Sequence, residues 1–107
     1  MTDKMIYIPI HVSGDYEDYV ENVVGVYDSK EAALVAAERE ATEWNCDQSR
    51  GVYDDQIVLR RYPLNRNILS NTWENRMYGP ALRDGFEKTL YELDDAGNLV
   101  KVEEDER

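Results

Sequence analysis

The chain has 107 residues, of which 42% are hydrophobic, and it carries 23 acidic against 12 basic side chains for a formal net charge of −11. This length fits one domain with a single modest core, and the hydrophobic content excludes a chain that is disordered throughout. The acidity argues against a nucleic-acid-binding or membrane-docking surface, because both draw affinity from Lys and Arg.

The first predicted element is a strand over Met5–Val12, where the side chains alternate between two faces. Ile6, Ile8, Ile10 and Val12 share one face, and Met5, Tyr7, Pro9 and His11 share the other. Because Pro9 has no N–H, the strand should lie at a sheet edge or turn this residue away from a partner. The apolar run is too short for a signal peptide or a membrane span, which makes the cytoplasm the expected location.

A polar loop over 13–22 should lead into a second strand, Val20–Tyr27. Gly25 lies in the middle of that strand, where it predicts a bulge or a close approach by a neighbouring backbone. Since the loop between the two strands is short, an antiparallel pair is the simplest arrangement.

The main helix is predicted over residues 29–45, with Asp28 or Ser29 as its N-cap and Glu31 at the spacing of a capping box. One stripe of the helix holds the residues that should pack on a sheet: Ala33, Leu34, Ala37, Ala41 and Trp44. The small alanine side chains would let the helix lie close to the sheet.

A third strand is predicted over Asp54–Leu64, so that strand, helix and strand could form a parallel crossover. Residues 65–87 fit either a short helix or an ordered loop. Residues 88–102 predict a β-hairpin whose turn needs Gly97 or Asn98 at positive φ. The predicted fold is a single α+β domain, 1–107, with an antiparallel or mixed sheet of about four or five strands, helix 29–45 on one face, and 103–107 as a disordered acidic tail.

Few residues suggest chemistry. His11 has no visible partner, and we interpret it as an ordinary surface histidine. Cys46 follows the helix, which favours a buried or incidental thiol over a nucleophile. Asp54-Asp55 and Asp94-Asp95 lack the spacing of a calcium loop, and the second pair fits a turn better. The sequence therefore predicts a non-enzymatic protein without a cofactor or metal; a small enzyme using Asp54, Asp55 or His11 is a further alternative.

Charge and tyrosine suggest a binding surface instead. Residues 1–55 carry a net charge of −9, residues 56–90 carry +3 and residues 91–107 carry −5. Tyrosines interleaved with carboxylates suit protein recognition, and the hypothesised partner-binding residues are Asp15, Tyr16, Glu17, Asp18, Tyr19 and Glu21. A secondary patch is hypothesised at Arg60, Arg61, Arg66, Trp73 and Arg76, which could serve self-association or pair with the chain's own acids.

The order of an apolar strand (MIYIPIHV), a GVYDSKEAA turn, a helix and a further strand (QIVLRRYPL) resembles small uncharacterised proteins of bacteriophages and bacteria. The resemblance covers residues 5–64 and brings no established catalytic residues. It implies an accessory protein of a phage or mobile element, a setting in which small acidic inhibitors of host defence are common.

Together these features predict an acidic protein that binds a basic surface of a host protein. Its function would be to block a defence or nucleic-acid-binding protein without contacting nucleic acid or membrane itself. The alternative is a structural or assembly protein that self-associates through its basic middle and acidic ends, for example as a homodimer. An acidic protein with no binding role beyond solubility also fits the composition.

Overall fold

A computed structural model describes residues 4–14, 19–47, 54–64 and 87–102. These residues form β1 (Met5–Ser13), β2 (Val20–Val23), α1 (Lys30–Cys46), β3 (Gln56–Pro63), β4 (Glu87–Leu93) and β5 (Leu99–Lys101). The five strands pair into one antiparallel sheet in the order β2-β1-β3-β4-β5. The helix packs on one face of this sheet, so the predicted α+β fold is confirmed.

The strand β1 lies inside the sheet, between β2 and β3, so it is not the predicted edge strand, and Pro9 faces the segment that follows β2. Tyr7 exchanges two backbone hydrogen bonds with Tyr27, of 2.7 and 2.9 Å, so the odd-numbered residues of β1 direct their backbone polar groups toward β2. On that side Pro9 accepts a 2.8 Å bond from the N–H of Val24. The position where Pro9 lacks an N–H therefore faces the segment beyond Val23, where β2 has ended.

The second strand is shorter than predicted, because β2 ends at Val23 and only Tyr27 rejoins β1, through an isolated bridge. Gly25 lies in the intervening detour. A Cβ atom at this position would lie 2.6 Å from the Tyr27 ring. The close neighbour at Gly25 is therefore a side-chain ring and not the neighbouring backbone that the sequence predicts.

The helix connects two strands that run parallel without being adjacent. Both β2 and β3 pair antiparallel with β1, so α1 crosses over β1 between them. Ala33, Ala37 and Ala41 are buried on its sheet-facing side, where Ala37 and Ala41 pack with Ile57 and Leu99. Small side chains at these positions let the helix approach the sheet closely, as the sequence predicts.

Ser29, and not Asp28, caps the helix. Its hydroxyl accepts from the N–H of Ala32 at 3.3 Å, which satisfies one of the free donors of the first turn. Asp28 instead pairs with Lys4 at 3.2 Å.

The closing hairpin forms as predicted. Asp94 Oδ1 accepts from the N–H groups of Ala96 and Asn98, both at 2.9 Å. Gly97 takes the left-handed conformation at φ 83°, which glycine adopts without steric cost. The Asp94-Asp95 pair therefore serves the turn.

The sheet carries a buried cluster on each face. Opposite α1, the side chains of Ile10, Val12 and Val58 form a second buried cluster with Ile8 packed against it. This arrangement confirms the predicted division of β1 into two faces. The predicted elements of residues 65–86 and the tail 103–107 lie outside the described residues. Within the described ranges, no helix is long and apolar enough to cross a membrane.

Candidate protein-binding surface

The structure places only part of the two hypothesised surfaces. Tyr19 and Glu21 belong to the described residues, at the start of β2, and Arg60 and Arg61 lie on β3. The remaining hypothesised residues lie outside the described ranges: Asp15, Tyr16, Glu17, Asp18, Arg66, Trp73 and Arg76.

Four exposed large apolar side chains lie on β2 or beside it. Tyr19 is 47% exposed, Val20 49%, Val23 60% and Val26 63%. We call these four residues together with Glu21 the β2 edge. Val20 and Val23 are three residues apart on one strand, so they project from opposite faces of the sheet. Exposed apolar side chains grouped in one segment at a sheet edge are typical of an interaction surface.

The backbone of the β2 edge is also oriented for pairing. Asn22 lies opposite His11 in the register with β1, and the odd-numbered residues of β1 direct their backbone groups toward β2. The backbone groups of Glu21 and Val23 must therefore point away from β1. An outward row of N–H and C=O groups is the template to which an extended peptide can add as a further strand.

One arginine joins the acidic and basic hypothesised residues. Arg60 donates from both Nη atoms to the two carboxylate oxygens of Glu21, at 3.0 and 2.6 Å, and from Nε to Glu87 at 2.8 Å. The bond from Arg60 lowers the pKa of the Glu21 carboxyl and raises the pKa of the guanidinium. The network connects β2, β3 and β4 on the face opposite α1. The charge of Arg60 is therefore compensated by two carboxylates of the same chain.

Tyr19 is held by the same network. Its hydroxyl donates to Glu21 at 2.6 Å. Partial burial of the hydroxyl, followed by the bond to Glu21, raises the pKa of the phenol to about 12. Tyr19 is therefore an uncharged, oriented aromatic residue at the rim of the β2 edge, which is the kind of residue that anchors protein interfaces.

His11 is buried, so its interpretation as an ordinary surface histidine is wrong. The residue is 6% exposed, with Nδ1 2.6 Å from Glu40 Oε2 and Nε2 2.7 Å from Asp55 Oδ2. The face assigned to it was right, since it points away from the isoleucines of β1. The physical reason for the burial is that α1 lies over this face and brings Glu40 and Trp44 to the ring.

The three residues His11, Glu40 and Asp55 form what we call the histidine cluster. Each ring nitrogen of His11 thus has a carboxylate oxygen of the chain within hydrogen-bonding distance. The cluster cross-links β1, α1 and the residue that precedes β3, which is a structural role.

The carboxylates lie on opposite edges of the imidazole, so the three groups do not converge on one point. Within the described residues, no group of three His, Cys, Asp or Glu side chains could hold a metal ion. Glu40 lines a surface depression of about 260 Å³ and Asp55 another of about 190 Å³. His11 is not among the described residues that line either depression.

The Asp54-Asp55 pair is split by the backbone. Asp54 takes the left-handed conformation at φ 56°, which Asp tolerates better than most residues, and it is exposed. Asp55 is 4% exposed and also accepts from Ser13 Oγ at 3.2 Å. The two carboxylates therefore do not act as a pair. Cys46, the last residue of α1, is exposed.

The sequence reasoning missed Glu40 entirely. A usable signal existed, because Glu40 lies three residues after Ala37 and four before Trp44, at the border of the packing stripe. A carboxylate at that border, above a strand face that carries a histidine, is a candidate partner for the imidazole.

Comparison of the chain with models of protein families, with curated proteins and with solved structures gave no match in any of the three.

Proposed function

We propose that the chain is a non-enzymatic, acidic binding module that attaches to a basic surface of a partner protein through the β2 edge and the acidic loop that precedes it. The observation that carries this proposal is the exposure of four large side chains on β2 or beside it, Tyr19, Val20, Val23 and Val26, each about half or more exposed. Apolar contact area beside outward backbone groups supplies affinity.

Charge supplies the choice of partner. The formal net charge of −11 favours encounter with a positively charged surface. The acids of residues 15–18 directly precede the β2 edge in the sequence, and in this proposal they contribute negative charge to the contact with a basic strand or groove. In this mechanism the protein occupies the partner's nucleic-acid site as a DNA mimic and performs no chemistry.

The biological setting follows from the resemblance of residues 5–64 to small phage and bacterial proteins. We propose a phage-encoded inhibitor of a host defence or nucleic-acid-binding protein, acting in the host cytoplasm. Small size and strong acidity suit such a blocking protein.

Two valines allow a matched test. Val23 on the β2 edge and Val35 on α1 are 60% and 59% exposed, so a lysine at either site changes charge and exposed area equally. The native chain, Val23→Lys and Val35→Lys are immobilised, and bound host proteins are quantified by mass spectrometry. The captured protein is then assayed for DNA binding in solution.

We expect the native chain and Val35→Lys to retain one host protein that Val23→Lys does not retain. The native chain should also release that protein from DNA. The triple variant Asp15→Asn, Glu17→Gln, Asp18→Asn should weaken capture and its salt dependence. Equal capture by Val23→Lys and Val35→Lys would contradict binding through the β2 edge.

Self-association is the second candidate, and the outward backbone groups of Glu21 and Val23 favour it. An antiparallel pair of β2 edges centred on Asn22 would place Glu21 opposite Val23 of the second copy, which avoids facing like charges. Sedimentation velocity across a salt series tests this. Salt screens the repulsion between two acidic chains, so the dimer fraction should increase with salt concentration. A monomer at every salt concentration would contradict it.

A further inference from the structure

The two strands at the ends of the described sheet, β2 and β5, differ in what surrounds their outward backbone groups. At β5, the Asn45 side chain accepts from the N–H of Leu99 at 2.8 Å and donates to the C=O of Leu99 at 2.9 Å. The amide of Asn45 on α1 therefore takes the place that the peptide group of a further strand would occupy. The strand is also three residues long and ends on Lys101. A covering group, a short length and a lysine are three ways in which proteins block a sheet edge.

The β2 edge lacks these protections within the described part of the chain. Val24 donates to Pro9 of β1 at 2.8 Å, so the even-numbered residues here direct their backbone groups inward, and those of Glu21 and Val23 point outward. None of the described residues bonds to these outward groups. The segment 5–29, which contains β1 and β2, holds five acidic residues and neither Lys nor Arg. The open edge therefore belongs to an acidic segment.

We propose that the β2 edge takes up an extended basic segment of the partner protein as an added antiparallel strand. This inference rests on the proposed function and specifies the mode of contact. Every strand pair of the described sheet is antiparallel, and antiparallel pairing is slightly the more stable kind per residue. Main-chain hydrogen bonds to Glu21 and Val23 supply the affinity, and the side chains on the two faces supply the choice of sequence.

The register defines the side chains that suit the added strand. Glu21 and Val23 lie opposite Val12 and Ile10, so the segment residues that pair with Glu21 and Val23 share the face away from α1. Because Arg60 already donates to both carboxylate oxygens of Glu21, these two positions suit uncharged, β-branched residues. The residue between them points to the α1 side.

Charge sets the direction of the segment. Residues 15–18 hold three acids and directly precede Tyr19 and the start of β2 in the sequence. An antiparallel strand places its C-terminal end beside the start of β2. The basic residues of the segment should therefore follow its apolar residues.

The probe is the acetylated and amidated peptide Val-Thr-Val-Val-Lys-Lys-Lys, titrated into the full chain at low salt and followed by NMR-detected amide hydrogen exchange. Its first and third residues pair with Val23 and Glu21. At a peptide concentration about ten times the dissociation constant, exchange of the Glu21 and Val23 amides should slow about tenfold. The amide of Val24 already donates to β1 and should change little. Absence of slowing at Glu21 and Val23, or equal slowing at Lys101 of β5, would overturn the proposal.

N-methylation separates strand addition from apolar or ionic contact. Methyl groups on the first and third residues of the peptide remove the donors directed at β2 and should weaken binding at least about tenfold. The same two methyl groups on the second and fourth residues leave those donors in place and provide the matched control. Equal binding of the two methylated peptides would overturn strand addition, and equal binding of a peptide with the reversed sequence would overturn its direction.

A variant of the chain removes the same contact from the other side. Val23→Pro lacks the outward N–H at an edge position that tolerates proline, so it should weaken the peptide about tenfold. Val23→Thr keeps the N–H and the β-branched shape, and it should bind nearly as the native chain does. The dispersion of the amide spectrum checks that both variants are folded. Because these titrations use no host protein, their failure overturns strand addition alone, and the capture comparison of Val23→Lys with Val35→Lys still decides the proposed function.

Discussion

The imidazole Nε2 of His11 lies 2.7 Å from Asp55 Oδ2, which links the middle of β1 to the residue immediately before β3. Glu40 binds the other nitrogen from α1. The ring of His11 therefore connects β1 to Glu40 and Asp55, which lie 29 and 44 residues further along the chain. Buried polar groups that lose their partners cost desolvation energy, so this geometry should matter for the stability of the fold.

Replacing His11 should destabilise the fold strongly. His11→Asn removes the donor that lies between two carboxylates, and Asp55 is too buried to regain full hydration. We expect a loss of about 3 kcal/mol in the free energy of unfolding, measured by urea denaturation. Asp28→Asn, which breaks the exposed ion pair with Lys4, is the control and should cost less than about 1 kcal/mol. Similar losses in the two variants would show that the histidine cluster carries no special stability.

The two carboxylates of the histidine cluster should not be equivalent. The Asp55 side chain is 5% exposed, whereas that of Glu40 is 31% exposed. Asp55→Asn leaves a buried amide facing a donor nitrogen, so it should cost about 2 kcal/mol more than Glu40→Gln, which water can compensate. The same urea measurements compare them. A larger loss for Glu40→Gln would contradict the burial described here.

Most of the fold was predictable because its signals are local. The alternation of Met5–Val12, the alanines of α1 and the Asp94–Asn98 turn each act over a few residues. The length of β2 was not predictable in this way, because only the Tyr7–Tyr27 bridge and the ring of Tyr27 near Gly25 show where the pairing with β1 stops. The Tyr7–Tyr27 bridge joins positions that are distant in the chain, so no local pattern reports it.

The candidate site was less predictable for the same reason. The sequence placed Tyr19 and Glu21 beside each other, and their contact is local. It could not place Arg60 on Glu21, 39 residues away. Strand register sets this contact, and periodicity alone leaves the register open.

The alanine contact between α1 and the sheet should tolerate no added bulk. Ala37 is fully buried against Ile57 and Leu99, so Ala37→Leu would push the helix away from the sheet. We expect a loss of about 1–3 kcal/mol, visible as a lower midpoint of thermal unfolding. Ala32→Leu, on the exposed side of the same helix, is the matched control and should be nearly neutral. An equal loss at Ala32 would attribute the effect to something other than packing.

The ion pair between Glu21 and Arg60 should stabilise the fold in a pH-dependent way. The bond from Arg60 lowers the pKa of Glu21 below its ordinary value of 4.5, so the folded state favours the ionised carboxylate. The stabilisation is therefore fully present above pH 4.5 and is lost as the pH falls through the lower folded value. Because the Glu21 side chain is 34% exposed, Glu21→Gln should cost less than about 1 kcal/mol at pH 7. That cost should shrink toward zero as the pH is lowered below 4.5, measured by urea denaturation at each pH. In an Arg60→Gln background the pH dependence of the Glu21→Gln effect should largely disappear, and a cost that grows on acidification would rule out this ion pair as its source.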